Sequence, residues 1–305
     1  MSILVVGSVA FDSIRTPLAA HEELLGGSAT HFSIAASFFA PVRLVAVVGE
    51  DFGDEHMEPF RERGVDLTGL QKVPGRTFRW SGEYGDDPNT AKTLDTQLNV
   101  FADFKPSLPD TWDRTPVVFL ANIDPDLQWL VLEQVKDPRI VAADTMNFWI
   151  SSKLEELKRT LSKVKILLIN DGEIRQLTGR VNVVDAAEKV REMGPEVVVV
   201  KRGEHGALIV KEDDLFAVPA FPVRKVTDPT GAGDSFAGGF LGYLASLKDH
   251  SREDYRRAVV VGSVMASFQV EEFSLGRLRR LEPEEIRERY KAFLRLTRFD
   301  DLPIP

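Results

Sequence analysis

The stretch "DPTGAGDSFAGGF", Asp228 to Phe240, decides how the rest of the chain is read. Four glycines, two aspartates and a proline fall within thirteen residues, and an apolar helical pattern follows. Glycines just before a helix let the backbone turn so that successive N–H groups point outward. The helix N-terminus adds the positive end of its dipole. Gly231, Ala232 and Gly233 are therefore a candidate anion site that needs no basic side chain. A carboxylate beside such a site is repelled by the anion unless it has a task. A substrate hydroxyl held between the two supplies one. Asp234 would accept the hydroxyl proton while the helix N-terminus holds a transferring phosphoryl group, a general-base effect of roughly 10²–10⁴-fold. The structural alternative is that Asp234 simply caps the helix.

Two other phosphate motifs fail here. The chain has no Gly-Lys pair, so it has no P-loop. Gly231-Ala-Gly233 lacks the third Gly or Ala of a dinucleotide fingerprint and lies late in the chain.

Upstream of this stretch, short apolar runs recur: Ile3–Val6, Leu44–Val48, Val117–Leu120, Ile140–Ala143, Ile166–Ile169 and Val197–Val200. Near-continuous runs of this length predict strands buried on both faces of a parallel sheet. Helical patterns separate them: Ser28–Phe39, Asp54–Arg63, Pro125–Val135, Ser152–Ser162, Glu173–Thr178 and Val184–Met193. Three more helices close the chain: Asp234–Leu247, Arg252–Phe268 and a charged, amphipathic Pro283–Leu296. Strand alternating with helix means α/β with right-handed crossovers. Leu70 to Phe101 breaks the rhythm with "GRTFRWSGEYGDDPNTAKTLDTQLNV", residues 75–100. Its alternating aromatics and its Gly85-Asp-Asp-Pro88 turn predict a hairpin, either a lid over a ligand or a surface feature.

Composition sets the outer bounds. A length of 305 residues permits about two domains or one large α/β unit, and we read residues 1–305 as one domain. The net charge of -9 argues against a general nucleic-acid binder. Without cysteine there is no disulfide framework, thiolate nucleophile or Cys-based metal site, which fits a cytoplasmic protein. Met1–Gly7 has no basic n-region and reads as a strand, not a signal peptide. No stretch approaches the roughly 18 apolar residues of a membrane span.

Asp228-x-x-Gly-Ala-Gly-Asp234 followed by Ser-Phe-x-Gly-Gly resembles the C-terminal signature of the ribokinase-like (PfkB) carbohydrate and nucleoside kinases. Other features agree in order over about residues 1–275. Gly26-Gly27 opens a helix, Asp12 follows the first strand, Asn170-x-x-Glu173 follows a later one, and Lys201-Arg-Gly-Glu-His-Gly206 follows the next. The resemblance implies a three-layer fold, a central mostly parallel sheet flanked by helices. A small β-sheet lid would be formed by segments near 12–25 and 70–101, with residues 281–305 left as a C-terminal amphipathic helix and tail.

It also implies an ATP-dependent phosphotransferase acting on a primary hydroxyl of a sugar, or of a ribonucleoside in the adenosine-kinase manner. Asp234 would be the catalytic base, and Gly231, Ala232 and Gly233 the anion hole. Asp12, Gly26, Gly27 and His31 would meet the substrate, with Asn147 from the partly matching Asp144-Thr-Met-Asn147 and with Phe78, Trp80 and Tyr84 from the lid. Asn170, Lys201, Arg202, Gly203 and Gly206 would lie at the nucleotide. Glu173 would reach Mg²⁺ through water, since Mg²⁺ keeps several waters.

Each assignment has a structural counterpart. Asn-x-x-Glu is also a helix capping box, and a lone His is also a packed core residue. Asp228 would face a monovalent cation, K⁺, in many members. Pro229 and the later "ASFQVEEFSLGRL", residues 266–278, depart from the family pattern there and count against a K⁺ requirement. Lids of this family often pair between subunits, which makes a homodimer the expected assembly. Two other classes compete: a non-catalytic binding protein on the same fold, which should have lost Asp234 or the glycines, and a nicotinamide oxidoreductase, which lacks its fingerprint.

Overall fold

The six apolar runs become six adjacent parallel strands. The computed structural model describes residues 1–300, so the last five residues of the expected tail lie outside it. The six are β1 (Ile3–Val6), β4 (Val42–Val48), β8 (Val117–Leu120), β9 (Ile140–Asp144), β10 (Ile166–Asn170) and β11 (Val197–Lys201). β5 (Asp66–Lys72) adds a seventh parallel strand at one edge, and the antiparallel hairpin β12 (Ala207–Lys211) and β13 (Asp214–Val218) completes the other. The order is β13-β12-β11-β10-β9-β8-β1-β4-β5. Strand order reverses beside β1, and in open α/β sheets ligands bind beyond the carboxyl ends of the strands at such a point.

Period-two alternation sends each strand's side chains to both faces. Ile3 and Val5 enter one core while Leu4 and Val6 enter the other. The first face is covered by α1 (Ser28–Ala36), α2 (Asp54–Glu62), α8 (Ala232–Ser246), α9 (Arg252–Gln269), α10 (Gly276–Arg279) and α11 (Pro283–Thr297). The second is covered by α3 (Pro125–Leu132), α4 (Asn147–Ser152), α5 (Leu154–Leu161), α6 (Asp171–Thr178) and α7 (Val183–Arg191). The helix expected over Ser152–Ser162 is α5, and the short α4 precedes it, unanticipated. The chain breaks at Lys153 (φ -139, ψ 48), whose ammonium is drawn to Asp124 at 2.8 Å and Asp126 at 2.7 Å.

The later glycines of the opening stretch have a packing role. A Cβ on Gly238 would lie 2.6 Å from the Phe32 carbonyl oxygen of α1, and one on Gly239 would lie 2.7 Å from Met265 Cγ of α9. These two glycines let α8 sit between its neighbours at a distance that no side chain permits. Every residue of α1 is buried, Ser28, Thr30, His31 and Ser33 included, so this helix has no solvent-exposed face.

A separate four-stranded sheet stands over the carboxyl ends of the strands, in the order β3-β2-β6-β7. Its members are β2 (Ala10–Arg15), β3 (Ala20–Gly26), β6 (Phe78–Tyr84) and β7 (Ala91–Gln97). β2 and β6 run parallel at its centre, with antiparallel partners on either side. Of the segment expected as lid, residues up to Lys72 belong to β5 of the main sheet, and Asn99–Asp103 form a 3₁₀ turn that Phe78 and Phe101 join by stacking at 5.4 Å.

Candidate active site

Three neighbouring strands end in polar residues: Asp144 on β9, Asn170 on β10 and Lys201 on β11. Each follows a residue of the second core, so alternation turns all three toward the face that holds α1 and α8. Lys201 Nζ donates to Asp144 Oδ2 at 2.7 Å, and both groups are almost fully buried. The same ammonium lies 3.2 Å from where a Cβ on Gly233 would be, against the first turn of α8.

The N-cap of α8 is Gly231, in the left-handed region at φ 74, and Asp234 is the third helical residue. The capping alternative for Asp234 therefore does not hold. Among the three expected anion-hole amides, the Ala232 N–H is donated to the Pro229 carbonyl at 3.1 Å. The N–H groups of Gly231 and Gly233 have no main-chain acceptor among the described residues. A side chain at Gly231 would also be blocked, since its Cβ would lie 2.3 Å from the His31 ring.

Asn170 and Glu173 form the reciprocal capping box of α6, at 2.8 and 2.9 Å. The box uses Glu173 Oε2 only. Burial raises Glu173 to about 7; the Asp144 and Asp234 charges push the same way, and Lys201 opposes them. Burial and the Asp144 charge likewise raise Asp234 to about 7, against the pull of Lys201. Burial works to lower Lys201, but the Asp144 and Glu173 carboxylates outweigh it and the ammonium is held above its usual range. Three carboxylates thus share one ammonium, a deficit of positive charge that a bound cation would offset. Among the described residues, no three His, Asp or Glu side chains lie close enough to hold a metal directly. The donor set therefore fits an ion bound mainly by phosphate and water, with Glu173 as the nearby carboxylate.

On the lid side, Asp12 of β2 is buried, and a Cβ on Gly26 would lie 1.9 Å from its Oδ2. Burial raises Asp12 to about 7, the Gly27 N–H pulls it down, and the Asp228 and Asp234 charges add to the rise. Asp12, on the lid side, and Asp234, on the α8 side, are thus close enough for their charges to act on each other. Gly27 caps α1 at φ 94, where its Cβ would strike the Ser8 carbonyl oxygen at 2.5 Å. His31 is buried beneath Gly231, with Nδ1 unpartnered among the described residues. Burial lowers its pKa to about 4, so the ring is neutral.

Trp80 pairs in register with Asp12 across β2 and β6, and its indole N–H donates to Thr93 Oγ1 at 3.2 Å. Tyr84 lies on the same face of β6, and Thr230 Oγ1 donates to its hydroxyl at 3.2 Å. That bond joins lid to anion-hole loop. Asn89, in the loop between β6 and β7, abuts Gly203, which a Cβ would bring to 1.7 Å from Asn89 Oδ1. Arg202, Gly203 and Gly206 form the 3₁₀ turn after β11, closed by the Arg202 N–H on the Gly206 carbonyl at 2.8 Å. Asp228 is fully buried behind Thr230.

Two expected residues stand apart. Asn147 is exposed at the start of α4, and Phe78 is turned into the aromatic stack with Phe101. Sequence reasoning missed Asp144 as the partner of Lys201. Its signal was a polar residue closing an apolar run, as at Asn170 and Lys201. A groove of about 450 Å³ at the β5 edge, beside Met57 and Arg61, is lined by none of these groups.

The cytidine kinase of Thermococcus kodakarensis is 30% identical over 250 residues, 79% of this chain and 87% of that one. The nucleoside kinase of Methanothermobacter thermautotrophicus is 29% identical over 288 residues, 88% and 89% of the two chains. The crystal structure of the Methanocaldococcus jannaschii nucleoside kinase, an archaeal member of the ribokinase family, superposes with a TM-score of 0.76 at 20% identity, covering 95% of this chain and 98% of that one. Among the described residues no helix is long and apolar enough to cross a membrane. Residues 2–279 match the pfkB family carbohydrate kinases, and the chain belongs to that family of sugar and nucleoside kinases, which transfer a phosphoryl group to a hydroxyl.

Proposed function

We propose that this kinase phosphorylates the primary hydroxyl of a ribonucleoside, cytidine first among them, with Mg·ATP as donor. The observation that carries the reading is the pair of carboxylates, buried Asp12 on the lid side and partly buried Asp234 in the first turn of α8, whose charges act on each other beside the Gly231–Gly233 loop. Asp12 accepts hydrogen bonds from ribose hydroxyls and fixes the sugar. Asp234 takes the proton of the acceptor hydroxyl as its oxygen bonds to the γ-phosphorus. The bond from that phosphorus to the β,γ-bridging oxygen breaks, and ADP leaves. The Gly231 and Gly233 N–H groups and the α8 N-terminus receive the charge that develops on the phosphoryl oxygens. Lys201, held by Asp144, adds a fixed positive charge beneath the same loop. Mg²⁺, when bound with ATP, supplies charge neutralisation at the phosphates, and Glu173 orients its water shell. A half-buried Trp80 beside Asp12 offers an aromatic face to a nucleobase. The cytidine kinase and nucleoside kinase relatives support this acceptor class over a plain sugar.

Turnover with Mg·ATP against cytidine, other ribonucleosides and plain sugars tests the reading. We expect kcat/KM for a ribonucleoside to exceed that for any free sugar by at least about tenfold. A sugar turned over faster than every nucleoside would reassign the acceptor and leave the kinase chemistry intact.

A further inference from the structure

The family resemblance puts a monovalent cation beside Asp228 in many members, and the donors at that place decide whether one fits. Two loops meet there, residues 227–231 ahead of α8 and residues 270–276 after α9. Asp228 is fully buried. Its Oδ1 accepts the Thr230 N–H at 2.9 Å and its Oδ2 accepts the Ser274 N–H at 3.1 Å. The N–H groups of Thr227 and Asp228 donate to the Val270 carbonyl at 2.7 and 3.3 Å. A carboxylate with two converging main-chain carbonyls, those of Thr230 and Ser274, is the all-oxygen set that a hard cation takes.

Here both carbonyls already have a donor. Gln269, the last residue of α9 and fully buried, donates from Nε2 to the Thr230 carbonyl at 3.0 Å and to the Ser274 carbonyl at 2.7 Å. Both hydrogens of the amide are used, and its Oε1 accepts from Ser235 Oγ at 3.4 Å. The amide nitrogen lies where a cation would have to bind these two oxygens, so the two cannot coexist. The residues present do not fit a bound K⁺.

We propose that the Gln269 side-chain amide stands in for the cation, holding the anion-hole loop from both ends, so that this kinase turns over without K⁺. One end is Thr230, the residue before Gly231, and the other is Ser235, the residue after Asp234. Gln269 is a positioning residue that acts through these neighbours. The role rests on reading Gly231–Asp234 as the phosphoryl site.

The test is turnover with Mg·ATP and cytidine in potassium, sodium and N-methylglucamine chloride at constant ionic strength. We expect the wild type to differ by less than about twofold among the salts. Gln269→Ala removes the amide and leaves the oxygen set, so its kcat should fall about tenfold or more in N-methylglucamine, with KM little changed, and recover saturably with added K⁺. Gln269→Met keeps the bulk without the donors, and its kcat should stay low in every salt. Mg·ADP affinity by calorimetry and Tm in the same salts, for wild type and variants, do not depend on the acceptor. If cytidine is not turned over, the acceptor assignment fails and these readouts still report on Gln269. A wild type activated more than twofold by K⁺, a Gln269→Ala variant indifferent to K⁺, or a Gln269→Met variant with wild-type kcat would each overturn the proposal.

Discussion

Asp234 owes its properties to its neighbours rather than to its place in a motif. It is a carboxylate at a helix N-terminus, where the dipole favours the charged form. Burial and Asp144 nonetheless raise it to about 7, the range in which a base can take a proton at neutral pH. Asp234→Asn should lower kcat by about a hundredfold or more, with the KM values little changed in steady-state assays. In the wild type, kcat/KM should fall as pH drops below about 7, because the base must be ionised. The carboxylates titrate as a group, so the limb belongs to the cluster. Stability has the opposite sign. A folded-state pKa raised above the ordinary 3.8 means that the fold favours the protonated form. That contribution is complete at low pH and is lost as pH rises through about 7. Asp234→Asn should therefore be more stable than wild type at pH 8, on the order of 1 kcal/mol or more, and the gain should shrink to less than half of that at pH 5. An equal Tm change at both pH values would refute the buried-charge account. The Asp228–Phe240 stretch stood out because the phosphoryl-transfer chemistry we propose for it needs contiguous residues. Asp144 and Gln269 did not, since each matters only through a loop distant in sequence.

Elements were legible in proportion to how completely they are buried. The six inner strands announce themselves because both faces are covered, which demands unbroken apolar runs. β3, "AHEELLG", and β7, "AKTLDTQ", bury little and carry no such signal. Their identity comes from pairing with β2 and β6. The antiparallel β12–β13 edge and the short α4 were not anticipated. Packing between elements makes a sharp prediction. Gly238→Ala would put a methyl 2.6 Å from a backbone oxygen, which cannot swing aside as a side chain can. We expect a loss of about 1–3 kcal/mol, measured by denaturant unfolding, although alanine is the better helix former. The lid makes a second. Trp80 shares its sheet face with Asp12, so Trp80→Ala should raise the KM for the acceptor more than the KM for ATP. Equal effects on both would count against a substrate-facing lid.

At the scale of the whole molecule, three regions far apart in sequence build one site. The first strand and lid bring Asp12, the middle strands bring Asp144, Asn170 and Lys201, and the C-terminal third brings the anion hole. The sheet order accounts for the convergence, since these groups stand at the carboxyl ends of strands next to its reversal. The lid is tied to that frame by the bonds from Thr230 to Tyr84, from Ser274 to the Leu25 carbonyl and from Arg79 to Asp51, and by Phe11 packed on Phe52 and His56.

The wholly buried α1 has a consequence for synthesis. Its main cover, α8, follows it by roughly 200 residues, which at about 5–20 residues per second means on the order of 10–40 s of translation. Through that interval a helix that the finished fold buries on every side waits on the ribosome with its α8-facing side uncovered. The nascent chain is then most exposed to aggregation, and its phosphoryl site, which lies on that same helix pair, can be assembled only after the last third of the protein has emerged.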